Sequence, residues 1–183
     1  NEENEPRFVG VPSMNMMAKH LAENLNILLN TRIVTLRNDG KWQLLSEQSR
    51  VYGDFDLVIS TAPSPQTANL LPKAFKYHNE INNIQMQPCF SLMLGFSEPL
   101  KLGFDAAHVS NADLSWLSVN SHKPGRQRSY TLLIHSSGPY AEAHLNDDRD
   151  EIIEQLCEET SRIIGCDVGI SQCKILHSWL YAN

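Results

Sequence analysis

The fold is decided by the stretch QPCFSLMLGFS, residues 87–97. Its Gln-Pro pair closes the preceding segment, and the largely apolar run from Cys89 to Phe96 is typical of a strand. Three later segments have the same strand character: residues 106–110, 114–119 and 130–136. The chain after Pro88 is therefore predicted to form a sheet built from strands close together in sequence.

A helix and a last strand complete this half of the chain. The triplet Asn146-Asp147-Asp148 is a helix start, and the apolar spacing runs on to Ile164, where Gly165 is a stop signal. Residues 171–181 read as the final strand. The prediction is an α+β fold, an antiparallel or mixed sheet covered by helices.

The first half of the chain predicts a different unit of helix, strand and hairpin. Ser13 is the predicted cap of a helix of about a dozen residues, and Asn38-Asp39-Gly40 is a hairpin turn. Pro65 begins a short helix that ends at Leu71. The other predicted elements are strands at 27–29, 33–36, 41–45, 51–52 and 55–60, and an amphipathic helix at 73–84.

Composition excludes several classes of protein. The chain has 183 residues, enough for one good core or two small ones, with a net charge of −6 and no Lys/Arg cluster, which argues against a nucleic-acid surface. No apolar run approaches the roughly 20 residues of a membrane span. The four cysteines form no C-x-x-C pair and no metal-site spacing, so we expect reduced, buried thiols, no metal and a cytoplasmic location.

Both ends of the sequence suggest the interior of a longer protein. The chain opens on the acidic NEENEP without Met, and it stops at Asn183 directly after a strand-like run. We expect the chain to expose apolar surface at these ends and, when isolated, to associate with itself.

No self-sufficient catalytic motif is present, so no catalytic residue is predicted. The sequence has no G-x-S-x-G, H-E-x-x-H, Walker loop or G-x-G-x-x-G. Three segments carry more than ordinary structure. RFVGVPSM, residues 7–14, is a helix entry or a functional loop. VISTAP, residues 58–63, ends a strand in small residues that admit a close neighbour. WLSVNSHKPGR, residues 116–126, is either an anion-binding loop or a solvated hairpin.

Together with DLVISTAPSPQTANLL (56–71), LLIHSS (132–137) and HSWLYA (177–182), these segments resemble the bacterial renalase-type flavoproteins of the flavin-containing amine oxidase superfamily. The resemblance runs from Arg7 to the end of the chain. It departs from the family at Ser178, where relatives often carry Arg, and a serine cannot make the charge contact of that Arg.

The resemblance implies a domain organisation and a reaction. Residues 7–87 would be part of a FAD-binding domain that lacks its Rossmann βαβ unit, and residues 88–183 would be the substrate-binding domain. The complete protein would transfer a hydride from a dihydronicotinamide-like or amine substrate to FAD, with O₂ as the final acceptor. The chain alone would neither bind FAD nor turn over, since FAD is held largely at the pyrophosphate helix of the missing unit.

The resemblance also implies the local site residues. Those approaching FAD would be Ile33, Val34, Ala62 and Pro63. Those of the substrate pocket, over the isoalloxazine ring, would be Asn120, Lys123, Arg126, His135, His177, Trp179 and Tyr181. Strand alternation places the last three on one face, which is either a pocket wall or an interdomain packing face.

A rival hypothesis belongs to another functional class. The chain would then be a stand-alone α+β module that binds a ligand or partner and is no enzyme. The complete reading frame separates the two: a G-x-G-x-x-G about 100 residues upstream supports the enzyme, and a natural start near Asn1 supports the module.

Overall fold

The computed structural model describes residues 8–126 and 129–182, which divide into two compact units. Residues 8–25, 87–126 and 129–182 form the larger unit, and residues 26–86 form the smaller one. In chain order the helices and strands are α1 Asn15–Leu21, β1 Ile33–Asn38, β2 Trp42–Ser46, β3 Val51–Phe55, α2 Ser64–Leu70, α3 His78–Asn82, β4 Cys89–Phe96, β5 Ala106–His108, β6 Leu114–Val119, β7 Tyr130–Ser136, α4 Gly138–Ala143, α5 Arg149–Ile164 and β8 Cys173–Trp179.

The larger unit is built on an antiparallel sheet of five strands in the order β5-β6-β7-β4-β8. β4, β6 and β7 have the predicted bounds, and the mixed α+β architecture with antiparallel sheets is confirmed. The strand β4 lies between β7 and β8, so its residues have a strand neighbour on each side.

One face of this sheet carries the core. Leu117, Ile134, Leu92 and Leu176 lie directly opposite one another across β6, β7, β4 and β8, and all four side chains are buried. Helix α5 belongs to the same apolar cluster through side chains that include the fully buried Leu156. Burial of this row against a helix is the main source of stability in a two-layer fold.

Both ends of α5 are capped as its sequence predicts. The Asp148 carboxylate accepts hydrogen bonds from the backbone N–H groups of Asp150, at 2.8 Å, and Glu151, at 3.4 Å. Gly165 ends the helix with φ of 70°, a left-handed conformation that costs glycine little. The preceding helix α4, which the sequence reading missed, is capped by the hydroxyl of Ser137.

The smaller unit contains the three-stranded sheet β1-β2-β3 and the helices α2 and α3. The predicted hairpin turn is present, with Gly40 at φ of 79° between β1 and β2. Its buried side chains are Leu36, Ser46 and Ala68. The ring of Trp42 packs edge-on against Phe75 at 6.5 Å, which links β2 to the segment before α3.

The predicted helix after Ser13 is shorter than expected. Helix α1 has seven residues, Met14 occupies its N-cap position, and the Ser13 hydroxyl donates to the Asn15 side chain at 2.5 Å instead of capping the helix. Met17 and Leu21 are 56% and 75% exposed. A short helix whose apolar stripe is not buried gains little from extension, because most helix stability in proteins comes from tertiary packing.

The predicted buried strand at 55–60 is wrong. Strand β3 ends at Phe55, and Leu57 and Ile59 are 73% and 77% exposed. No strand forms at 27–29, and the helix predicted at 73–84 is confined to His78–Asn82. An apolar run becomes a strand only beside a backbone that completes its hydrogen bonds, and within the described residues none pairs with the run after Phe55.

The four cysteines carry free thiols, but the expectation that they are buried is wrong for two of them, because Cys166 is half-buried and Cys173 is exposed. Burial raises the pKa of the Cys89 and Cys157 thiols, so these two are poorly disposed to form thiolates. Among the described helices, none has the length and apolar character that crossing a membrane requires.

Candidate functional site

The face of the large sheet opposite the leucine core carries a row of polar and aromatic side chains. Across β5, β6, β7, β4 and β8 the directly opposed residues are His108, Trp116, His135, Ser91 and His177. Directly opposed residues point to the same side of a sheet. We call this set the open-face row.

A cleft of about 1080 Å³ lies over three residues of the open-face row, Ser91, His135 and His177. Four of the predicted pocket residues, His135, His177, Trp179 and Tyr181, line this cleft together. The face predicted from strand alternation is therefore a concave surface within the larger unit. Its position agrees with a ligand site, which is typically a cleft with a few convergent polar groups.

Trp179 is held in a defined orientation in this cleft. Its indole N–H donates to Oγ of Ser91 at 3.0 Å, and its ring meets the His177 ring edge-on with 4.2 Å between centroids. Trp179 is nevertheless 51% exposed, so one side of the indole remains available to a ligand.

His135 is the histidine with the most perturbed surroundings. Burial lowers the pKa of its imidazole, and the positive charge of Lys123 lowers that pKa further. The pKa of Lys123 is itself lowered, first by burial and then by Arg126. A half-buried imidazole with a lowered pKa is uncharged near neutral pH, so His135 can exchange a hydrogen bond or a proton without carrying a permanent charge.

The other three predicted pocket residues lie outside the cleft lining. Asn120 begins a single 3₁₀ turn, Asn120–His122, and lines a second cleft of about 440 Å³ with Thr131 and Cys173. Lys123 follows that turn and reaches His135 through its charge. Arg126 donates to the backbone carbonyls of Gly10 and Pro12.

The sequence reading missed several lining residues, of which Ser91 is the most informative. In β4 the residues Phe90, Leu92 and Leu94 face the core, so period-two alternation assigns Ser91 to the opposite face. That signal was present in the sequence. Arg149 also lines the cleft, where its guanidinium donates to the carbonyl of Leu176. Its position at the start of a helix gave no hint of this contact.

The predicted cofactor contacts belong to the smaller unit. Ile33 and Val34 are consecutive in β1 at a register shift, and Ile33 is half-buried whereas Val34 is exposed. Ala62 and Pro63 are half-buried in the loop before α2, and the Thr67 hydroxyl donates to the Ala62 carbonyl at 2.9 Å. The neighbouring Ser64 Oγ is shielded from solvent and has no hydrogen-bond partner among the described residues. This pinned loop with small side chains and an unused hydroxyl fits an approaching polar ligand such as a nucleotide.

Within 8–126 and 129–182, no three side chains of His, Cys, Asp or Glu are grouped to hold an ion.

This chain has the same fold as part of several longer proteins of known structure. A provisionally assigned protoporphyrinogen oxidase from Exiguobacterium sp. 255-15 is 19% identical, with a TM-score of 0.67 over 93% of this chain and 39% of its own. A putrescine oxidase variant from a redesign of cofactor binding is 13% identical, with a TM-score of 0.71 over 90% of this chain and 38% of its own. Reduced UDP-galactopyranose mutase is 12% identical, with a TM-score of 0.68 over 92% and 39%.

These similarities establish the fold, and the chain spans about two fifths of the length of the matched proteins. Oxidases and a mutase share the architecture, so the fold by itself does not select a reaction. The family is given by a separate match. The model of the flavin containing amine oxidoreductases covers residues 2–179, almost the whole sequence, and the chain belongs to that family.

Proposed function

We propose that the complete protein is an FAD-dependent oxidoreductase that takes a hydride from a flat, reduced substrate of the dihydronicotinamide type. Family membership supports FAD as the cofactor of the complete protein. It also favours an enzyme over a stand-alone binding module. In this proposal the larger unit supplies the substrate wall, and Ile33, Val34, Ala62 and Pro63 of the smaller unit contact the cofactor.

The observation that carries the substrate class is the composition of the cleft wall. Flat side chains, His135, His177, Trp179 and Tyr181, line one cleft of about 1080 Å³. Aromatic side chains present large, oriented surfaces on which a flat ring can stack. Such a wall would hold a nicotinamide-like ring in one plane, which is what hydride transfer requires of a binding site.

The charges in the cleft agree with an uncharged ring. Among the described lining residues no carboxylate is present, and the guanidinium of Arg149, which keeps its positive charge, donates to the backbone carbonyl of Leu176. Hydride loss leaves a positive charge on a nicotinamide ring. An uncharged His135 does not oppose that charge, and its lowered pKa keeps it uncharged near neutral pH.

The bound FAD would supply a two-electron acceptor that passes its electrons to O₂, giving hydrogen peroxide with two protons. The residues of this chain would bind the substrate, orient its ring and exclude water from it. No general base is required, because the hydrogen leaves the substrate carbon as a hydride, with both electrons of the C–H bond, and not as a proton.

An amine is the second candidate substrate, favoured by the description of the family. The rings of Trp179 and Tyr181 would hold an ammonium group through cation–π contacts. An amine must lose a proton before or during oxidation, and His135 would then serve as the acceptor. The two candidates therefore place different demands on His135.

Anaerobic mixing of the complete flavoprotein with each substrate class tests the proposal. We expect dihydronicotinamides to bleach the flavin band near about 450 nm and primary amines to leave it unchanged. Ser178→Ala, whose side chain points away from the cleft, should be reduced like the wild type. Reduction by amines alone would favour the second candidate, and a flavin that neither class reduces would defeat both.

A further inference from the structure

We propose that Ser91 is a positioning residue that sets the orientation of the Trp179 indole on the open face of the sheet. This inference rests on the proposed function in one respect, since it treats Trp179 as part of the substrate wall. The geometric part of the inference, the link between the two side chains, is tested separately below.

Ser91 is the most buried residue of the open-face row. It lies in β4, with His135 of β7 directly opposite on one side and His177 of β8 on the other. Its side chain is 6% exposed. A side chain held between two strand neighbours has little freedom to move, so its oxygen is a fixed point on this face.

Trp179 lies at the edge of the sheet, where the described residues give it a neighbouring strand on one side only, and its indole needs a polar contact to hold its orientation. It is in the edge strand β8 and opposes Cys89, which makes Ser91 its diagonal neighbour two residues farther along β4. Diagonal neighbours are within reach of long aromatic side chains. The indole N–H meets Ser91 Oγ at 3.0 Å, so the ring of Trp179 lies across the strand towards β4.

Burial alone does not hold the indole. Trp179 is 51% exposed and has no strand beyond it within the described part of the chain. Two contacts fix the ring: the hydrogen bond to Ser91 and the edge-on packing with His177 at 4.2 Å. The hydrogen bond is the directional one of the two, because donor and acceptor must align. Ser91 therefore determines which way the ring faces.

This role differs from a role in folding. If Ser91 lost its hydroxyl, water could still reach the half-exposed indole N–H and satisfy it. The fold would then lose little, whereas the indole would be free to turn. The expected signature of Ser91→Ala is an unchanged melting temperature with an altered Trp179 environment and altered turnover.

The first test uses the indole N–H resonances of the complete protein labelled with ¹⁵N-tryptophan, with the Trp179 signal identified by Trp179→Phe. In Ser91→Ala we expect that signal to shift and its N–H to exchange with solvent about 10-fold faster or more, as for a bond opened to water. Ser91→Thr, which retains a hydroxyl, should restore it. Ser118→Ala, another buried serine of this face, should leave it unchanged. An unshifted Trp179 signal in Ser91→Ala overturns the inference.

Kinetics on the same variants separate this inference from the proposed function. A loosened wall should lower kcat/KM of Ser91→Ala by about 10-fold, since small misplacements of a substrate slow its reaction, and Ser91→Thr should recover most of it. If the indole signal shifts and kcat/KM stays at the wild-type value, Ser91 positions Trp179 and the cleft is not the substrate site. That result supports the positioning role and refutes the assignment of the substrate to this cleft, whereas a variant series without any turnover of dihydronicotinamides would refute the proposed function itself.

Discussion

Arg126 donates a hydrogen bond to the backbone carbonyl of Gly10 at 3.2 Å, although 116 positions separate the two residues in sequence. The same guanidinium also donates to the carbonyl of Pro12. Gly125 adds a steric contact, because a Cβ there would lie 2.7 Å from Cγ1 of Val11. Within the larger unit, the loop before α1 is thus attached at Arg126 to the segment that follows β6.

Arg126→Ala should release this loop. Hydrogen bonds to a charged donor are worth about 1.5–3 kcal/mol when one partner is removed, so we expect a local loss of about that size. Limited proteolysis within residues 8–14 is the measurement, and cleavage there should become faster. Arg162→Ala, which removes an exposed arginine paired with Glu159, is the matched control and should leave residues 8–14 unchanged.

Trp179→Ala separates a substrate wall from a packing face. If Trp179 meets the substrate, kcat/KM of the complete protein should fall, by up to about 10²-fold, while FAD stays bound. If the face packs against another domain, the variant should instead lose roughly 3–5 kcal/mol of stability, as for a large-to-small change in a core. Kinetics and thermal melts on one sample decide the matter.

Ser178→Ala is the control for that experiment, because Ser178 opposes the core residue Phe90 and faces away from the cleft. Its turnover should stay near the wild-type value. Normal kinetics of Trp179→Ala combined with a much lower melting temperature would contradict the assignment of Trp179 to the substrate wall.

His135 should make the protein less stable in mild acid. Its pKa lies below the usual 6.5 in the folded state, so the unfolded chain binds the proton more tightly. The free energy of unfolding should therefore fall as pH drops through about 6.5 and level off below the folded pKa. Denaturant unfolding of wild type and His135→Gln between about pH 5 and 8 checks this, and the variant should show a smaller slope.

The matched control is His20→Gln, since the His20 side chain is 78% exposed at the end of a surface helix. Its pH dependence should follow that of the wild type. A His135→Gln variant with an undiminished slope would show that other groups set the acid sensitivity.

The N-cap of α5 offers a test of the fold alone. Asp148→Ala removes the acceptor for the N–H groups of Asp150 and Glu151 and should cost about 1 kcal/mol, measured by chemical denaturation. Asp148→Asn keeps a capping oxygen and should retain most of that stability. Equal losses in the two variants would mean that the charge, rather than the cap, stabilises the helix.

The 183-residue chain purified by itself should be colourless. Its sequence contains no G-x-G-x-x-G and thus no phosphate-binding helix start of that type. An absorbance spectrum checks this, and flavin bands near about 370 and 450 nm would contradict it. The complete protein, prepared in the same way, should be yellow.

Features governed by short stretches of sequence were predictable. The strands β4, β6 and β7 and the helix α5 were found because their apolar patterns are bounded by clear caps and turns. Alternation alone placed His177 and Trp179 on a shared face, and both line the cleft. Ser91 was overlooked because a serine in an apolar strand gains meaning only when its neighbours across the sheet are known.

Features governed by distant partners were not predictable. Residues 55–60 have the apolar character of a buried strand, yet Leu57 and Ile59 are exposed because no described strand pairs with them. The segment 116–126 left two alternatives open, an anion-binding loop or a solvated hairpin, and neither indicates that Arg126 donates to two backbone carbonyls more than 110 positions away. The local sequence predicts neither the exposure of residues 55–60 nor the hydrogen bonds of Arg126, because each depends on which residues lie beside the segment in the folded chain.

Because successive side chains of a strand point to opposite faces, residues of the cleft wall alternate with residues of the core along β4 and β7. Ser91 and His135 oppose each other on the open face, and Leu92 and Ile134, one position away in sequence, oppose each other on the core face. Substitutions in the open-face row can therefore change ligand preference without entering the core, so specificity is free to drift among relatives. Inserting or deleting one residue within β4 or β7 would exchange the two sides, with histidine in the core and leucine in the cleft. Length variation in this sheet should consequently be confined to its loops.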